Sequence, residues 1–336
     1  MNTSNRIGWG ILGGARINER MLPAIVNAPN SELIAVASRR PGAAAETLKK
    51  YAPAGHAAVC YDALQALLND ERVQVVYVPM ANHEHAEWTL QALAHGKHVL
   101  CEKPLALTTA DIDAIEAAAK QAGKKVMEGF MYRFHPQHGR VRAILDSGAI
   151  GEIRSVRASF SFMMRPARLY RLADDVSRGG GAMWDIGCYA IHCLRQFFPE
   201  LPRSVTALAN FTDSGADNAL SGVLAYGEDR FGHFDISFNR ARRCEYELIG
   251  TKGGLRCAVV WQLPGDTPVI QWWTEDGRQT EERLPAANHF ELEIEHFSRC
   301  VLEDGEPGLS LSDAKDNCRV INAVLESAAS GQPALL

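Results

Sequence analysis

Glu102-Lys103-Pro104 follows the apolar run Val99-Leu100-Cys101, so a lysine stands where a buried strand ends. In a parallel α/β sheet the ligand lies beyond the carboxyl ends of the strands. The proline restrains the backbone that carries the lysine. Lys103 is therefore expected to face whatever the sheet binds; the alternative is an ordinary surface turn. Gly13-Gly14-Ala15-Arg16-Ile17-Asn18 also follows an apolar run and opens a helical pattern. That arrangement offers backbone N–H groups to a pyrophosphate. A second register, Gly8-Trp9-Gly10-Ile11-Leu12-Gly13, matches G-x-G-x-x-G literally, but it puts the turn inside the strand. The later register is preferred: Ala15 takes the place of the middle glycine and Asn18 that of the last. It makes Gly13, Gly14, Ala15, Arg16 and Ile17 the expected phosphate-binding residues. A glycine turn with no ligand is the alternative.

The next apolar run ends at Ser38-Arg39-Arg40. An acid is expected about 20 residues beyond the fingerprint when the ribose hydroxyls of NAD are bound, and neither Ser38 nor Arg39 is acidic. A carboxylate repels a 2′-phosphate, whereas a guanidinium pairs with it bidentately. The position favours NADP(H), with NAD(H) still possible, and Arg39 over Arg40. Two solvated arginines are the alternative.

The elements that must position these residues read as follows. Apolar runs at 7–12, 32–38, 73–78, 98–101 and 125–127 alternate with helical patterns such as 86–94, closed by Gly96, and 111–122, closed by Gly123. Thr108-Thr109-Ala110-Asp111 has capping-box spacing, and Pro23 predicts a kink or restart in the first helix. Continuous apolar strands alternating with helices argue for a parallel sheet covered on both faces. Beyond about Glu128 the period changes. A helix is expected over 136–147, then period-two stretches with Val156, Ala158, Phe160 and Phe162, and Val205, Ala207 and Ala209, each on one face. Further strands are expected at 221–226, 231–238, 246–249 and 269–273, a helix over 183–198, and two closing helices near 290–301 and 312–329. This second part reads as α+β with a largely antiparallel open sheet.

A chain of 336 residues, 46% hydrophobic and 22% charged, accommodates two domains with ample cores. A net charge of −5 gives no general attraction to nucleic acid or anionic membrane. The first residues lack the apolar core of a signal peptide, and no apolar stretch is long enough to span a bilayer. Eight cysteines are scattered without a Cys-x-x-Cys pair. They read as reduced thiols of a cytoplasmic protein. No cluster of ligands suggests a metal.

Gly13-Gly14-Ala15, Glu102-Lys103-Pro104 and Asp185-Ile186-Gly187-Cys188-Tyr189 together resemble the glucose-fructose oxidoreductase/inositol dehydrogenase (Gfo/Idh/MocA) family of nicotinamide-dependent sugar oxidoreductases. The resemblance runs from about Ile7 to the C-terminus. It implies a Rossmann dinucleotide-binding domain over 1–128. It also implies a substrate-binding and oligomerisation domain over 129–336, whose last helix packs back on the first. The family places the lysine matching Lys103 near the nicotinamide and the reacting hydroxyl. Pro79-x-x-Asn82-x-x-His85 is similar to the family's turn along the cofactor. That adds Pro79, Asn82, His85, Glu102 and Lys103 to the cofactor set, with Asn82 as a helix cap and His85 near ribose or substrate.

Many members carry histidine at the position of Tyr189; the glucose-fructose oxidoreductase and dihydrodiol dehydrogenase branches carry tyrosine. This implies Tyr189 as proton donor to a carbonyl, supported by Lys103, with Asp185 four residues earlier on the same helix face. A lysine ammonium about 4 Å from a phenolate contributes roughly 4 kcal/mol at an effective dielectric near 20, which moves a tyrosine from near ~10 toward the range useful at neutral pH. Arg133, Phe134, Asp185 and His192 are the implied substrate contacts, with core packing the alternative for Phe134 and His192. Arg165, Arg168, Tyr170 and Arg171 form a basic-aromatic stretch that is either a loop over the site or solvated. The implied activity is hydride transfer between NADP(H) and a sugar, inositol or dihydrodiol by a homodimer or homotetramer. The alternatives are a cofactor-binding sensor without turnover and a family-type hydrolase with tightly held NAD.

Overall fold

The computed structural model describes residues 6–227, 229–261 and 267–336. The chain forms two compact units: one runs to Phe134 and takes in Asn288–Lys315, the other comprises His135–Ala287 and Asp316–Leu336.

The first unit contains β1 (Ile7–Leu12), α1 (Asn18–Asn27), β2 (Ser31–Ala37), α2 (Ala43–Tyr51), β3 (Val59–Tyr61), α3 (Leu64–Leu68), β4 (Val75–Val78), α4 (His85–Ala94), β5 (His98–Glu102), α5 (Thr109–Ala122) and β6 (Val126–Gly129). The six strands are all parallel, in the order β3-β2-β1-β4-β5-β6. Every residue of β1 and β4 is buried, as a sheet covered on both faces requires. The strand order reverses at β1, which pairs with β2 on one side and β4 on the other. The carboxyl edge beside it is the crevice where such sheets bind ligands. The segments after β1, β2, β4 and β5 all emerge on that edge. α1 continues through Pro23, so the expected restart does not occur. Thr108 accepts a hydrogen bond from the Asp111 N–H, and Gly123 closes α5 with a φ of +61°, as the capping-box spacing predicts. The short strand β3 has no apolar alternation and escaped the sequence reading.

The rest of the chain supplies α6 (Pro136–Asp146), β7 (Ile153–Ser161), α7 (Cys188–Arg195), β8 (Ser204–Phe211), β9 (Asp217–Gly227), β10 (Arg230–Ser237), β11 (Arg243–Gly250), β12 (Gly253–Cys257), β13 (Val269–Thr274), β14 (Gln279–Arg283), α8 (His289–Leu302), α9 (Leu311–Ser330) and β15 (Ala334–Leu335). The second unit's sheet has nine strands, ordered β14-β13-β12-β11-β7-β10-β9-β8-β15. Among the described residues only β7 and β10 of this sheet pair in parallel; the other neighbours are antiparallel. Val156, Ala158 and Phe160 are buried on strand β7, against which α7 packs.

Two features depart from the sequence reading. The units divide after Phe134 rather than at residue 128, and α8 belongs with the first unit. The reason is packing: Trp9 on β1 donates its indole N–H to Ser298 Oγ at 3.0 Å and lies edge-on to Phe297, both on α8. The helix expected over 183–198 opens with a wider π turn at Met183–Gly187 before α7. Gly187 leaves room for the side chains packed there: a Cβ would lie 2.5 Å from Ile236 Cδ1 and 2.6 Å from Met183 Sδ.

Asp217 anchors the start of this helical segment. Its carboxylate accepts from the Met183 N–H at 2.7 Å. Gly181 holds a φ of +98°, and a Cβ there would collide with Asp217 Oδ1. Burial pushes the Asp217 carboxyl from an ordinary 3.8 up to about 7, against hydrogen bonds from the backbone. A carboxyl raised in this way adds stability at low pH and loses it as the pH climbs through the folded value. Asp217→Asn keeps an acceptor at the cap but does not ionise. Its urea midpoint, relative to the unmodified chain, is expected to improve between pH about 4 and pH about 7. Parallel pH dependences for the two proteins would show that Asp217 does not titrate in the folded state.

Candidate active site

β1 delivers the chain to Gly13, whose φ of +92° is open to glycine but strained for other residues. The Gly13 N–H donates to the Ala37 carbonyl at 2.6 Å, and its carbonyl accepts from Asn18 Nδ2 at 2.9 Å. Asn18 is fully buried, so the turn is braced from inside by the residue that replaces the fingerprint's last glycine. The backbone N–H groups of Gly14, Ala15, Arg16 and Ile17 have no hydrogen-bond partner among the described residues. They lie just before the first residue of α1, where backbone donors and helix dipole both favour an anion. Gly8 and Gly10 lie within β1 and serve packing: a Cβ on Gly8 would collide with the Arg72 carbonyl, and one on Gly10 would lie 2.7 Å from Leu67 Cδ2. The turn is therefore the one at Gly13, and it fits the pyrophosphate of a dinucleotide.

Lys103 lies just beyond β5 and is 9% exposed. Its neighbours in the chain are held from three directions. The Tyr77 hydroxyl on β4 donates to Glu102 Oε1 at 2.5 Å. His85, at the start of α4, places Nδ1 2.6 Å from the Pro104 carbonyl and Nε2 3.0 Å from the Met80 carbonyl. Glu128 on β6 accepts from the Leu105 N–H at 2.7 Å. The Lys103–Pro104 peptide is cis. His85 is 1% exposed, and burial pushes its imidazole down to about 4. It is an internal brace between the turn after β4 and the lysine loop, with each ring nitrogen facing a backbone carbonyl. A second buried carboxyl, Glu293 on α8, is pushed well above its ordinary range by burial and by the Glu102 charge. Pro79 is buried at the end of β4, and Asn82 lies inside the 3-10 turn Asn82–Glu84 rather than at a helix cap.

Ser38 is buried and its hydroxyl accepts from the Arg40 N–H at 3.2 Å. Arg39 extends from the end of β2 into a bidentate pair with Glu84, at 2.6 and 3.1 Å. Burial raises the Glu84 carboxyl, but the Arg39 hydrogen bond and charge outweigh it and hold the group below its ordinary value. Arg40 pairs with Glu46 at 2.5 Å. Glu84 was not a candidate from the sequence, since nothing in residue order links it to Arg39.

In the second unit, Asp185 lies in the π turn, and Tyr189 and His192 follow on α7. Asp185 Oδ2 pairs with Arg171 Nη1, and the Arg171 carbonyl accepts from the Gly181 N–H at 3.0 Å. Of the basic-aromatic stretch, Arg171 is thus tied to the Asp185 segment, while Tyr170 is 62% exposed. Tyr189 is 7% exposed, its ring 6.0 Å from Phe160 and 6.3 Å from Trp261. His192 is buried, with Nδ1 3.3 Å from Gln196 Nε2. In the first unit, Arg133 is partly exposed on the turn Met131–Phe134. The Phe134 ring packs 4.8 Å from that of His296 on α8, and Tyr132 is fully buried. Seven of the eight cysteines are buried and none is in a disulfide. No helix among the described residues is long and apolar enough to cross a membrane.

Residues 7–130 match the oxidoreductase family with NAD-binding Rossmann fold, and residues 138–256 match the GFO/IDH/MocA C-terminal domain. Among proteins of known name, a D-xylose 1-dehydrogenase (NADP(+)) of Haloferax volcanii is 32% identical over 96% of this chain and 98% of its own length. A trans-1,2-dihydrobenzene-1,2-diol dehydrogenase of Xenopus laevis is 30% identical over 95% and 97%. Among solved structures, the 3-ketoreductase KijD10 of Actinomadura kijaniata, in complex with NADP and TDP-benzene, superposes with a TM-score of 0.88 at 32% identity, covering 96% of this chain and 98% of that one. The parallel sheet with its Gly13 turn and Lys103 loop, the mixed nine-stranded sheet, and similarity along nearly the whole chain lead to one conclusion: this protein belongs to the Gfo/Idh/MocA family of oxidoreductases.

Proposed function

We propose that this oxidoreductase uses NADP(H) and interconverts a hydroxyl and a carbonyl on a sugar or sugar-like polyhydroxylated compound. The observation that carries the reading is the Lys103 loop, braced by Tyr77, His85 and Glu128 on the carboxyl edge of the parallel sheet. The free N–H groups after Gly13 support the dinucleotide, and the names of the xylose dehydrogenase and the 3-ketoreductase support NADP and a sugar-like substrate. The cofactor, when bound, supplies or accepts the hydride. The chain's own groups bind, orient and move the proton. Gly14 to Ile17 hold the pyrophosphate and Arg39 the 2′-phosphate. The Tyr189 hydroxyl donates the proton to the carbonyl oxygen. The Lys103 ammonium favours the phenolate that remains and polarises the same oxygen. Asp185 and Arg133 bind substrate hydroxyls. Crystallised variants of KijD10 changed at a tyrosine and at a lysine involve the same pair of residue types.

The reading includes a homodimer or homotetramer formed through the second unit's sheet. Leu208 and Phe231 leave apolar surface on β8 and β10, 74% and 39% exposed. It also includes a cytoplasmic setting, consistent with cysteines that form no disulfide. A panel of aldoses, ketoses, inositols and dihydrodiols, followed by absorbance of the reduced cofactor, identifies the substrate; no turnover with any class would reject the enzymatic reading.

Tyr189→Phe removes one hydroxyl and keeps the ring on Phe160 and Trp261. It is expected to lower kcat by about 10²–10⁴ with little change in cofactor affinity. Lys103→Met should also lower kcat, and the double variant should lose less than the product of the two single losses, because groups that act as one unit are not additive. A near-normal kcat in Tyr189→Phe, under conditions where chemistry limits turnover, rules out the proton-donor role.

Cofactor choice gives a second expectation. Fluorescence titration should show NADPH binding more tightly than NADH, and Arg39→Ala should reduce the difference by about 10- to 100-fold, the scale of a lost charge-assisted bidentate contact. An NADPH affinity that Arg39→Ala leaves unchanged would refute the assignment of Arg39.

A further inference from the structure

β2 and β4 flank β1 in the sheet. Arg39 follows β2 and Glu84 ends the turn after β4, so their ion pair reaches across the carboxyl end of β1, beside the Gly13 turn. Both terminal nitrogens of the guanidinium are engaged, at 2.6 and 3.1 Å. This is the planar fork that would otherwise take two phosphate oxygens. The two partners differ in exposure. The Glu84 side chain is 17% exposed and Arg39 60%, so the carboxylate is the more buried partner and the arginine the one open to solvent. Arg40 is likewise paired, with Glu46. Each cation that follows β2 is thus matched by a carboxylate, and the edge that a 2′-phosphate would approach carries little net positive charge. An exposed pair of this kind is weak enough to exchange, but a phosphate that takes over Arg39 must leave the Glu84 carboxylate without its partner and close to a second anion.

We propose that Glu84 is a specificity-determining residue for the cofactor: its carboxylate competes with the 2′-phosphate of NADP(H) for the Arg39 guanidinium and so limits the preference for NADP(H) over NAD(H). This rests on the cofactor reading given above. It differs from the sequence expectation, in which the lack of an acid at Ser38 or Arg39 left the 2′-phosphate site uncontested. The structure supplies the acid from the turn after β4 instead.

The test is fluorescence titration of NADPH and NADH into the unmodified chain, Glu84→Gln, Arg39→Ala and the double variant. Glu84→Gln keeps the shape of the side chain and removes its charge. It is expected to tighten NADPH by about 5- to 20-fold while NADH changes by less than about twofold. In the Arg39→Ala background the same change should tighten NADPH by less than about threefold, because the contested group is gone. If Glu84→Gln leaves NADPH unchanged or weaker while Arg39→Ala still weakens it, Glu84 only orients Arg39; the inference falls and the cofactor reading stands. If Arg39→Ala alters neither affinity, both fall together.

Discussion

The loop from Glu102 to Leu105 is gripped by groups that arrive from three neighbouring elements: Tyr77 from β4, His85 from α4 and Glu128 from β6. Each contact uses a buried or half-buried polar group, and such groups are costly when unsatisfied. The grip is therefore mutual, since displacing the loop would break the contacts that Glu128 makes with the Leu105 N–H and His85 with the Pro104 carbonyl. Neutral imidazole carries a single N–H, so only one of the two carbonyls beside His85 accepts a hydrogen bond at a time. Burial, which keeps the ring neutral down to about 4, prevents it from satisfying both. Lys103 owes its fixed position to this ring of contacts rather than to the proline alone.

Much of the first unit was legible in residue order because buried parallel strands read as continuous apolar runs and their ends are marked by glycine, arginine or proline. Gly13, Ser38, Pro79 and Lys103 were all found as strand ends. What the sequence concealed was the direction of individual side chains. His85 looks like a polar residue on a cofactor turn, yet it is 1% exposed and spent on backbone carbonyls. Glu84 looks like a solvated helix residue, yet it meets Arg39 because β2 and β4 lie on either side of β1. Sequence distance carries no information about a contact of that kind, which exists only once the strand order is set.

The second unit was harder to read in one particular way. The period-two patterns of β7 and β8 were visible, and so was the helix that follows the glycine run. The π turn at Met183–Gly187 was not, because a wider turn leaves no mark in residue type beyond a glycine. Nor was the role of Arg171 visible: its basic-aromatic neighbourhood suggests a loop, and only the pairing with Asp185 gives it a place. Asp217 was missed for the same reason as Glu84: it begins a strand far along the chain yet anchors the turn before α7.

The return of α8 to the first unit bears on how the chain is made. Trp9 lies near the beginning of the sequence, but its indole partner Ser298 and its ring neighbour Phe297 come almost at the end. Protein domains generally fold as they leave the ribosome, N-terminal parts first. Here the six parallel strands emerge early with one side of β1 still uncovered, and strands β7 to β14 of the second sheet must be synthesised before the covering helix exists. The nascent dinucleotide-binding unit therefore waits with apolar surface exposed from the synthesis of Phe134 until α8 emerges. Its completion is tied to the arrival of Asn288–Lys315 rather than to its own first 134 residues.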